Sequence, residues 1–480
     1  MISTIRKGLP QTSNPKEIIV IGAGMAGLVT ASLLKQAGHK VSVLEARDRV
    51  GGRVHTLRAP FTDGLYLDVG AMRIPQKHHL VLEYIKKFGL PINLFFNTTP
   101  NDLIYVNGVK TRLKMYRKNP GVLNYPLPPH EHGNTANELF KGALHPILQF
   151  LKQDPQNWDW VVRNFDKYSL DGFLKHNPFG LKLSSGAITM IELLFDIESF
   201  AELSFLDIFR HELQIIFLQP DLPFYEISGG NDQLPNAFLP RLKDNLFLNH
   251  KLTKIKQNPA KVTLYGEDIH TSKPFSVTGD FAVVTVPYSV LPFVEVEPRH
   301  SFSYFKRNAI RKIHYSPSIK IGIEFKTRFW EEQGLYGGKS TTDLPIRFSY
   351  YPSHGVGKPG PAVILASYTW EDDALPWGSL SEEQRILQAL ENLAEIYGPR
   401  VYHEFVTGAS YSWAHDPYTA GGFPVFKPGQ KTQLSGQLAS PEGRVHFAGG
   451  HTSDFPGWMQ GAIQSGIRAA HEVNDRSRKE

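Results

Sequence analysis

The chain has 480 residues, of which 41% are hydrophobic and 20% are charged, and it contains no cysteine. These values are ordinary for a globular protein of two to four domains, and they exclude a collagen, a coiled coil and a disordered chain. Without cysteine there can be no disulfide, catalytic thiol, thiolate metal site or cysteinyl cofactor link, and we predict no metal site of another kind. The net charge of +6 is small for this length, and no block of lysine and arginine predicts nucleic-acid binding.

The sequence gives no sign of export or membrane insertion. The N-terminal residues lack the apolar core of a signal peptide. The most apolar window, 18–34, is shorter than the roughly 20 residues of a membrane span, and glycines interrupt it. We therefore predict a cytoplasmic protein without a membrane anchor.

The first motif is a strand, a glycine-rich turn, a helix and a second strand. The β-branched run 18–21 leads directly into Gly22, Gly24 and Gly27, and the second strand ends at Glu45. Gly22 allows a tight turn, Gly24 lets a pyrophosphate approach the backbone, and Gly27 lets the helix pack closely on the strand. Glu45 can accept hydrogen bonds from an adenosine ribose. This order of elements predicts a dinucleotide-binding α/β domain of the Rossmann type.

The segment after Glu45 indicates which dinucleotide is bound. It reads ARDRVGGR, in which Gly52 offers a second backbone approach while Arg47 and Arg53 offer cations near a pyrophosphate; the alternative is a surface turn with solvated arginines. Together, VIGAGMAGL and LEARDRVGGR resemble the FAD-binding signature of the flavin amine oxidase superfamily. The resemblance implies non-covalent FAD. The cofactor contacts that it implies in this region are Gly22, Gly24, Met25, Ala26, Gly27, Glu45, Ala46, Arg47, Gly52 and Arg53.

A second segment, GAMRIP at 70–75, bears on the substrate. From spacing alone, Arg73 on irregular backbone reads as a surface residue. The segment is similar to the stretch of L-amino acid oxidases whose arginine binds the substrate α-carboxylate, a group that the substrates of monoamine and polyamine oxidases lack. The resemblance therefore implies that Arg73 is a substrate-binding and catalytic residue, and that Gly70, Ala71 and Met72 contact the cofactor with it.

Two strand patterns follow in the second half of the chain. In the first, Lys320, Gly322 and Glu324 alternate with apolar residues, so periodicity alone predicts an exposed polar face. Related enzymes place a lysine here that holds a water near the flavin, which implies a catalytic role for Lys320. In the second, the resemblance implies that the hydroxyl of Tyr368 shares the substrate carboxylate and that Trp370 lies at the side-chain pocket; the alternative for Tyr368 is a packed strand tyrosine.

The C-terminal motif is FAGGHT followed by a helix with small residues from Met459 to Ala470. It resembles the flavin motif of the superfamily, with Gly457 and Trp458 as a wall beside the substrate amine and the flavin. One position departs from the pattern, because Gly450 stands where a glutamate usually bonds the ribityl chain. Either a water or His451 compensates, or flavin affinity is lower than usual. The implied cofactor contacts here are Gly450, Gly457, Trp458, Met459 and Ala462, with Leu252 added from the middle of the chain.

The resemblance extends over nearly the whole chain and implies three domains. They are an FAD-binding domain (14–75, 226–300 and 421–475), a mixed-sheet substrate domain (76–130 and 301–420) and a helical domain (131–225). Phe423, after two glycines, matches a pocket turn, with a packed turn aromatic as the alternative. His211 matches a helical histidine that contacts the substrate amine, although a lone helical histidine is more often packed or solvated.

The predicted activity is FAD-dependent oxidative deamination of L-amino acids with bulky apolar, aromatic or long basic side chains. The products are a 2-oxo acid, ammonia and hydrogen peroxide, and oxygen is the electron acceptor. The alternatives are an amino acid 2-monooxygenase, an amine or polyamine oxidase, and a flavin-fold scaffold that binds a partner without catalysis. A homodimer or larger homo-oligomer is expected from the family.

Overall fold

The computed structural model describes residues 1–212 and 222–480, with side chains outside 211–221. Within these ranges the helices, numbered in chain order, are α1 Ile2–Lys7, α2 Met25–Gln36, α3 His79–Phe88, α4 Leu113–Lys118, α5 Ala136–Gln153, α6 Asn157–Phe165, α7 Leu170–His176, α8 Ser185–Leu194, α9 Phe205–Glu212, α10 Gln233–Asn236, α11 Leu239–Leu242, α12 Tyr304–Lys312, α13 Glu371–Gly378, α14 Glu382–Tyr397, α15 Arg400–Glu404, α16 Gln430–Leu438 and α17 Met459–Ser477.

The strands of the same ranges form several separate sheets. They are β1 Glu17–Ile21, β2 Lys40–Leu44, β3 Thr56–Leu57, β4 Leu67–Asp68, β5 Ile74–Pro75, β6 Ile92–Phe95, β7 Leu103–Val106, β8 Val109–Arg112, β9 Phe224–Ile227, β10 Leu246–Phe247, β11 His250–Gln257, β12 Val262–Asp268, β13 Pro274–Gly279, β14 Phe281–Val284, β15 Glu295–Glu297, β16 His314–Ser316, β17 Ser318–Phe325, β18 Lys339–Thr342, β19 Phe348–Tyr350, β20 Ala362–Trp370, β21 Phe405–Ser412, β22 Phe423–Val425 and β23 Val445–Phe447.

A parallel sheet joins segments that lie far apart in the sequence. Its strand order is β10-β2-β1-β14-β23, and all four pairings are parallel. Both faces are covered, as a parallel sheet requires. Ile18 and Val20 face one core with α2 and α17, while Ile19 and Ile21 face another core beneath the sheet β13-β12-β11-β15. The predicted Rossmann-like α/β fold is confirmed.

A seven-stranded sheet lies apart from the parallel one. Its order is β21-β17-β20-β19-β18-β7-β8, antiparallel throughout except where β18 runs parallel to β7. The sheet is therefore mixed, as predicted. Helices α13 and α14 pack on it and bury one of its faces. The aromatic side chains of its other face, described below, line a cavity.

Helices α5 to α9 form a third unit with its own apolar core. Side chains cap the N-termini of three of them, α5, α7 and α8: Thr135 and Glu138 make a reciprocal capping box, and Ser169 and Ser184 each accept from a backbone amide three residues on. The proline-rich run before them, 125–130, contains neither helix nor strand. The domain boundaries given above remain a prediction. Among the described residues, none of the helices combines the length and the apolarity that crossing a bilayer requires.

One lysine is buried in the core beside the parallel sheet. Lys306 of α12 is 0% exposed, and its Nζ donates to the carbonyl of Leu438 at 3.1 Å and to the hydroxyl of Tyr288 at 3.3 Å. Its ammonium lies 3.9 Å from the ring centre of Phe447. Burial lowers the pKa of Lys306 to about 7, which the charge of Glu442 offsets only in part.

We expect Lys306→Met to stabilise the protein at neutral pH. A lysine whose pKa is lowered in the fold takes up a proton on unfolding, so its penalty is present near pH 7 and disappears as the pH rises toward 10.5. Methionine removes this penalty together with two hydrogen bonds, for a net gain of about 1–3 kcal/mol at neutral pH. Melting temperatures at about pH 7 and about pH 9.5 measure the effect, which should shrink at the higher pH. The exposed Lys312 on the same helix gives the control, Lys312→Met; an equal shift at both pH values would contradict the assignment.

Candidate active site

A single large cavity of about 1740 Å³ connects the parallel sheet with the seven-stranded sheet and the helical unit. Its walls include almost every residue singled out from the sequence. These are Gly22, Gly24, Met25, Ala26, Glu45, Ala46, Arg47, Gly52, Arg53, Gly70, Ala71, Met72, Arg73, Leu252, Tyr368, Trp370, Phe423, Gly450, Gly457, Trp458, Met459 and Ala462. Gly27 and Lys320 lie behind the wall, and the side chain of His211, on the last turn of α9, lies outside the described residues.

The glycine loop after β1 is built for close backbone packing. Gly22 has a φ of +101°, which favours glycine. A Cβ on Gly27 would lie 1.9 Å from the carbonyl oxygen of Gly22, so a side chain there would push the helix away from the loop. Gly24 meets Gly52 of the second glycine pair, with the Cα of Gly52 4.0 Å from a Cβ built on Gly24. The two loops therefore present bare backbone to the cavity side by side.

Glu45 ties these loops together. Its carboxylate accepts hydrogen bonds from the backbone amides of Ala23 at 2.7 Å and Arg47 at 3.0 Å. Burial raises the pKa of Glu45, and the two amide hydrogen bonds and the charge of Arg47 act against this rise. The side chain is buried yet reaches the cavity. That is the position in which a carboxylate can accept from a ribose hydroxyl.

The arginines after Glu45 are not solvated, so the surface-turn alternative is wrong. Arg47 forms two hydrogen bonds to Asp416, at 2.7 and 2.6 Å, and the hydroxyl of Tyr411 donates to the same carboxylate at 2.5 Å. Arg53 donates to the carbonyl of Gly422 at 2.9 Å, and burial lowers its pKa. Arg47 is thus neutralised by a partner from the far end of the chain. Asp416 could not be predicted from the sequence, because no motif of a cofactor loop lies near it.

Arg73 lies inside the cavity wall and is only partly exposed, so the reading of a surface residue is wrong. Its Nη1 donates to the hydroxyl of Tyr350 at 2.6 Å and to the side-chain carbonyl of Asn97. Within the described residues its Nη2 and Nε make no hydrogen bond. One edge of the guanidinium is therefore anchored by Asn97 and Tyr350, which the sequence analysis missed, while the other N–H groups are left for a ligand.

Aromatic side chains surround the space next to Arg73. The guanidinium carbon lies 5.5–6.0 Å from the ring centres of Phe224, Tyr350 and Trp458. Tyr368 is partly buried beside them, and burial raises the pKa of its hydroxyl, which the charge of Arg73 partly offsets. Tyr368 is therefore a protonated donor at neutral pH. Its position in the wall favours the site role over the packed-strand alternative.

A second group of rings forms the wall farther from Arg73. Trp370 stacks on Phe200 with ring centres 5.4 Å apart, and Phe423 meets Phe200 edge-on at 6.2 Å. Gly457, with a φ of +80°, lies against the ring of Phe423. Phe200 comes from the helical unit and was missed, because an apolar residue there cannot be told from core by its spacing. The three rings enclose an apolar pocket.

Lys320 is buried behind Tyr368. Its Nζ donates to the carbonyls of Asp68 at 2.9 Å and Gly70 at 2.7 Å, and it lies 4.5 Å from the ring centre of Tyr368. Burial lowers the pKa of Lys320, and the carboxylate of Asp68 offsets part of this fall. An ammonium has three N–H groups, of which the two carbonyls use two.

The exposed polar face that periodicity predicts for this strand is wrong. All eight residues of β17 are buried, since β20 and β21 flank the strand and the segment around residues 61–67 covers its polar face. A Cβ on Gly322 would lie 2.5 Å from Leu67, and Glu324 accepts from the amide of Thr62 at 2.8 Å. Polar residues alternate here because each has a buried partner, not because they meet water.

Gly450 and His451 border different cavities. A Cβ on Gly450 would meet only the amide nitrogen of Gly457, at 4.0 Å, so this point of the cavity wall has room for a side chain that the chain lacks. His451 is buried against the ring of Tyr288, at 4.1 Å between centres, and borders a second, smaller cavity. Since His451 is absent from the wall of the large cavity, it does not stand in for the missing glutamate.

The geometry of the cavity defines a class of protein. A parallel sheet carries two bare glycine loops, a buried acid and the N-terminus of α17 along one stretch of cavity. Such a stretch fits an extended dinucleotide. Beyond it the same cavity continues into a small pocket with one anchored arginine and an aromatic wall. These features define a dinucleotide-binding protein with a small-molecule site beside the cofactor.

The comparisons name the family. The chain belongs to the flavin-containing amine oxidoreductases, whose family model matches residues 25–474. It is 54% identical over 475 residues to "Putative L-amino-acid oxidase YobN" of Bacillus subtilis strain 168, covering 99% of this chain and 98% of that protein. It is 36% identical over 479 residues to an L-amino-acid oxidase of Siganus canaliculatus, covering 99% and 89% of the two chains. FAD is accordingly the cofactor.

Solved structures agree on the fold. Cyclohexylamine oxidase from Brevibacterium oxydans IH-35A superimposes with a TM-score of 0.75 at 20% identity, covering 96% of this chain and 99% of that one. Putrescine oxidase bound to putrescine gives a TM-score of 0.70 at 20% identity, with the same coverage. The FAD-binding fold of the flavin amine oxidases is thus shared.

Proposed function

We propose that the protein is an L-amino-acid oxidase, which converts L-amino acids to 2-oxo acids, ammonia and hydrogen peroxide. The observation that carries the proposal is Arg73, whose guanidinium is anchored by Asn97 and Tyr350 and faces the pocket beside the cofactor stretch. An arginine fixed in this way selects a carboxylate bidentately, and an amine substrate has no group to offer it. The names of the relatives support the same choice.

The residues that hold FAD follow from the cavity wall. The glycine loops at Gly24 and Gly52 would receive the pyrophosphate, Glu45 would accept from the ribose, and the N-terminal residues of α17, which line the same cavity, would contact the flavin end of the cofactor. When bound, FAD supplies the two-electron acceptor for oxidation of the α-carbon–nitrogen bond, and oxygen restores it. Because Gly450 has no side chain, this wall position would contribute no side-chain hydrogen bond to the ribityl chain.

The pocket residues orient the amino acid. Arg73 and the hydroxyl of Tyr368 bind its carboxylate, and the carbonyl of Gly457 accepts from its amine. Binding at both ends would fix the orientation of the α-carbon in the pocket, and such positioning would supply much of the rate. Trp458, which meets His78 edge-on at 4.8 Å, closes one side. Lys320 has one N–H left to hold the water that hydrolyses the imino acid.

The aromatic rings favour bulky apolar side chains. Trp370, Phe423 and Phe200 offer apolar area and ring faces for burial and stacking. A side chain of a leucine, phenylalanine or tryptophan would bury there, whereas a short or acidic one would leave the pocket unfilled. We expect aromatic and branched L-amino acids to be the better substrates.

The test is peroxide release by the FAD-loaded protein from the twenty L-amino acids, their D-enantiomers, cyclohexylamine and putrescine. We expect peroxide and 2-oxo acid in equal amounts, from L-amino acids alone. Release from the amines instead would make the protein an amine oxidase. Amide and carbon dioxide as products would identify a monooxygenase, and a flavin colour that no substrate bleaches without oxygen would identify a scaffold.

A further inference from the structure

A second cavity of about 230 Å³ lies on the far side of Trp458 from the pocket. Asp207, Pro424, Val425, Pro456 and Trp458 line both cavities. The two spaces therefore share a thin wall, one side chain thick at Trp458. Nothing in the proposed oxidation uses this second space.

Its charged lining contains a cation without an ionic partner. Lys431 of α16 lies 5.2 Å from the ring centre of Phe426, and none of the described carboxylates comes within ion-pair distance of its ammonium. Burial lowers the pKa of Lys431; the charge of Asp207 acts against this, and the charge of Arg210 adds to it. Arg210 also lines the cavity and pairs at 2.9 Å with Asp454, which is 61% exposed. Three cations, Arg210, Lys431 and Arg468, and two acids, Asp207 and Asp454, line this space. Arg468 is paired with Glu472 and Arg210 with Asp454, so Lys431 is the cation of this lining that lacks an ion pair among the described residues.

A buried histidine also faces this space without a partner. His451 is 3% exposed, and neither ring nitrogen has a hydrogen-bond partner among the described residues. A buried donor or acceptor that lacks a partner is unfavourable, because it has lost its hydrogen bonds to water. A neutral imidazole has one N–H to donate, so an acceptor in the cavity would satisfy it.

We propose that this second cavity binds a small carboxylate monoanion. Lys431 and Arg210 supply the charge, the N–H of His451 supplies a directed hydrogen bond, and the apolar side chains of Val425 and Leu438 take a short alkyl group. Asp207 lies close enough to disfavour a dianion such as phosphate. Carboxylates are also the substrates and products of the proposed function. An occupant of the second cavity would contact Trp458, which lines both cavities. This link to catalysis rests on the proposed function.

Binding can be measured without turnover, so this proposal can fail separately from the proposed function. The probe is trifluoroacetate, observed by fluorine NMR line broadening on the FAD-loaded Arg73→Leu protein, in which the carboxylate clamp of the pocket is absent. We expect the fluorine signal of trifluoroacetate to broaden and pyruvate to reverse the broadening. In the double variant that adds Lys431→Met to Arg73→Leu, we expect at least a tenfold loss of trifluoroacetate affinity. The exposed Lys427, four residues earlier, gives the matched control Lys427→Met, which should leave binding unchanged.

A second variant, His451→Phe, tests the site independently in case Lys431→Met does not fold. His451→Phe keeps an aromatic ring and removes the donor, so it too should weaken trifluoroacetate binding while the protein keeps its FAD. Absence of broadening in the Arg73→Leu protein would overturn the proposal, as would equal affinity in Lys431→Met. Displacement by chloride at the same concentrations as pyruvate would overturn the assignment to carboxylates.

Discussion

Replacing Arg73 by leucine should lower kcat/KM for L-amino acids about 100- to 1,000-fold, on the order of 3–4 kcal/mol of transition-state stabilisation. The reason is geometric, because Asn97 and Tyr350 hold one nitrogen of the guanidinium and leave the other edge to the substrate. Leucine keeps the apolar bulk and loses both the charge and the paired donors. Steady-state peroxide release with the best substrate measures the effect.

The matched control is Arg117→Leu. Arg117 also lines the large cavity, but it is exposed and lies on α4, away from the aromatic wall. Its replacement removes the same charge from the same cavity and should change kcat/KM by less than about threefold, since exposed charges act weakly through solvent. Arg73→Lys should recover little, because an ammonium cannot bind a carboxylate bidentately. Full activity of Arg73→Leu would contradict the carboxylate clamp.

The sequence could predict the parts of the site that depend on neighbouring residues. Gly22, Gly24 and Gly27 act through local backbone geometry, and Glu45 follows at the end of the next strand, so one stretch of sequence contains their whole physical reason. The strands of the parallel sheet could be predicted for the same reason, since their signal also lies in neighbouring residues. Its β-branched runs are short, continuous and bounded by turns.

Contacts between distant segments could not be predicted from spacing. Asp416 neutralises Arg47 from 369 residues away, and Tyr350 anchors Arg73 from 277 residues away. Neither residue stands in a motif. Each is an ordinary polar or aromatic residue until the sheets bring it to the cavity. Family resemblance marked Arg73 and left open what holds it in place.

Periodicity predicted an exposed face at Lys320, and the prediction is wrong because that face is buried. Alternation separates the two faces of a strand but says nothing about what covers each face. Both faces of β17, the second strand of the seven-stranded sheet, are covered, so Lys320 and Glu324 bind buried partners. A polar face on a strand inside a sheet therefore indicates either solvent or a buried network, and the two are separated by whether another segment packs on that face, as residues 61–67 do here.

Replacing Gly27 by alanine should weaken FAD binding at least about 100-fold while the rest of the chain still folds. A Cβ at this position would lie 1.9 Å from the carbonyl oxygen of Gly22, a distance that no side-chain movement can relieve because both partners are fixed by the backbone. Either α2 or the glycine loop must move, and a shift of about 1 Å at the loop removes the close approach of the pyrophosphate. Flavin fluorescence during reconstitution of the apoprotein gives the dissociation constant.

The helix α16 offers a control that makes the same chemical change without the contact. Gly436 is also a helical glycine, and a Cβ built there has nothing within 4 Å. Gly436→Ala should leave FAD affinity unchanged and raise stability by up to about 1 kcal/mol, since alanine is the better helix former. If Gly27→Ala bound FAD as tightly as Gly436→Ala, the close packing at the loop would not be what brings the cofactor to the backbone. The affinity would then have to come from the side chains around the rest of the cavity, Glu45 first among them.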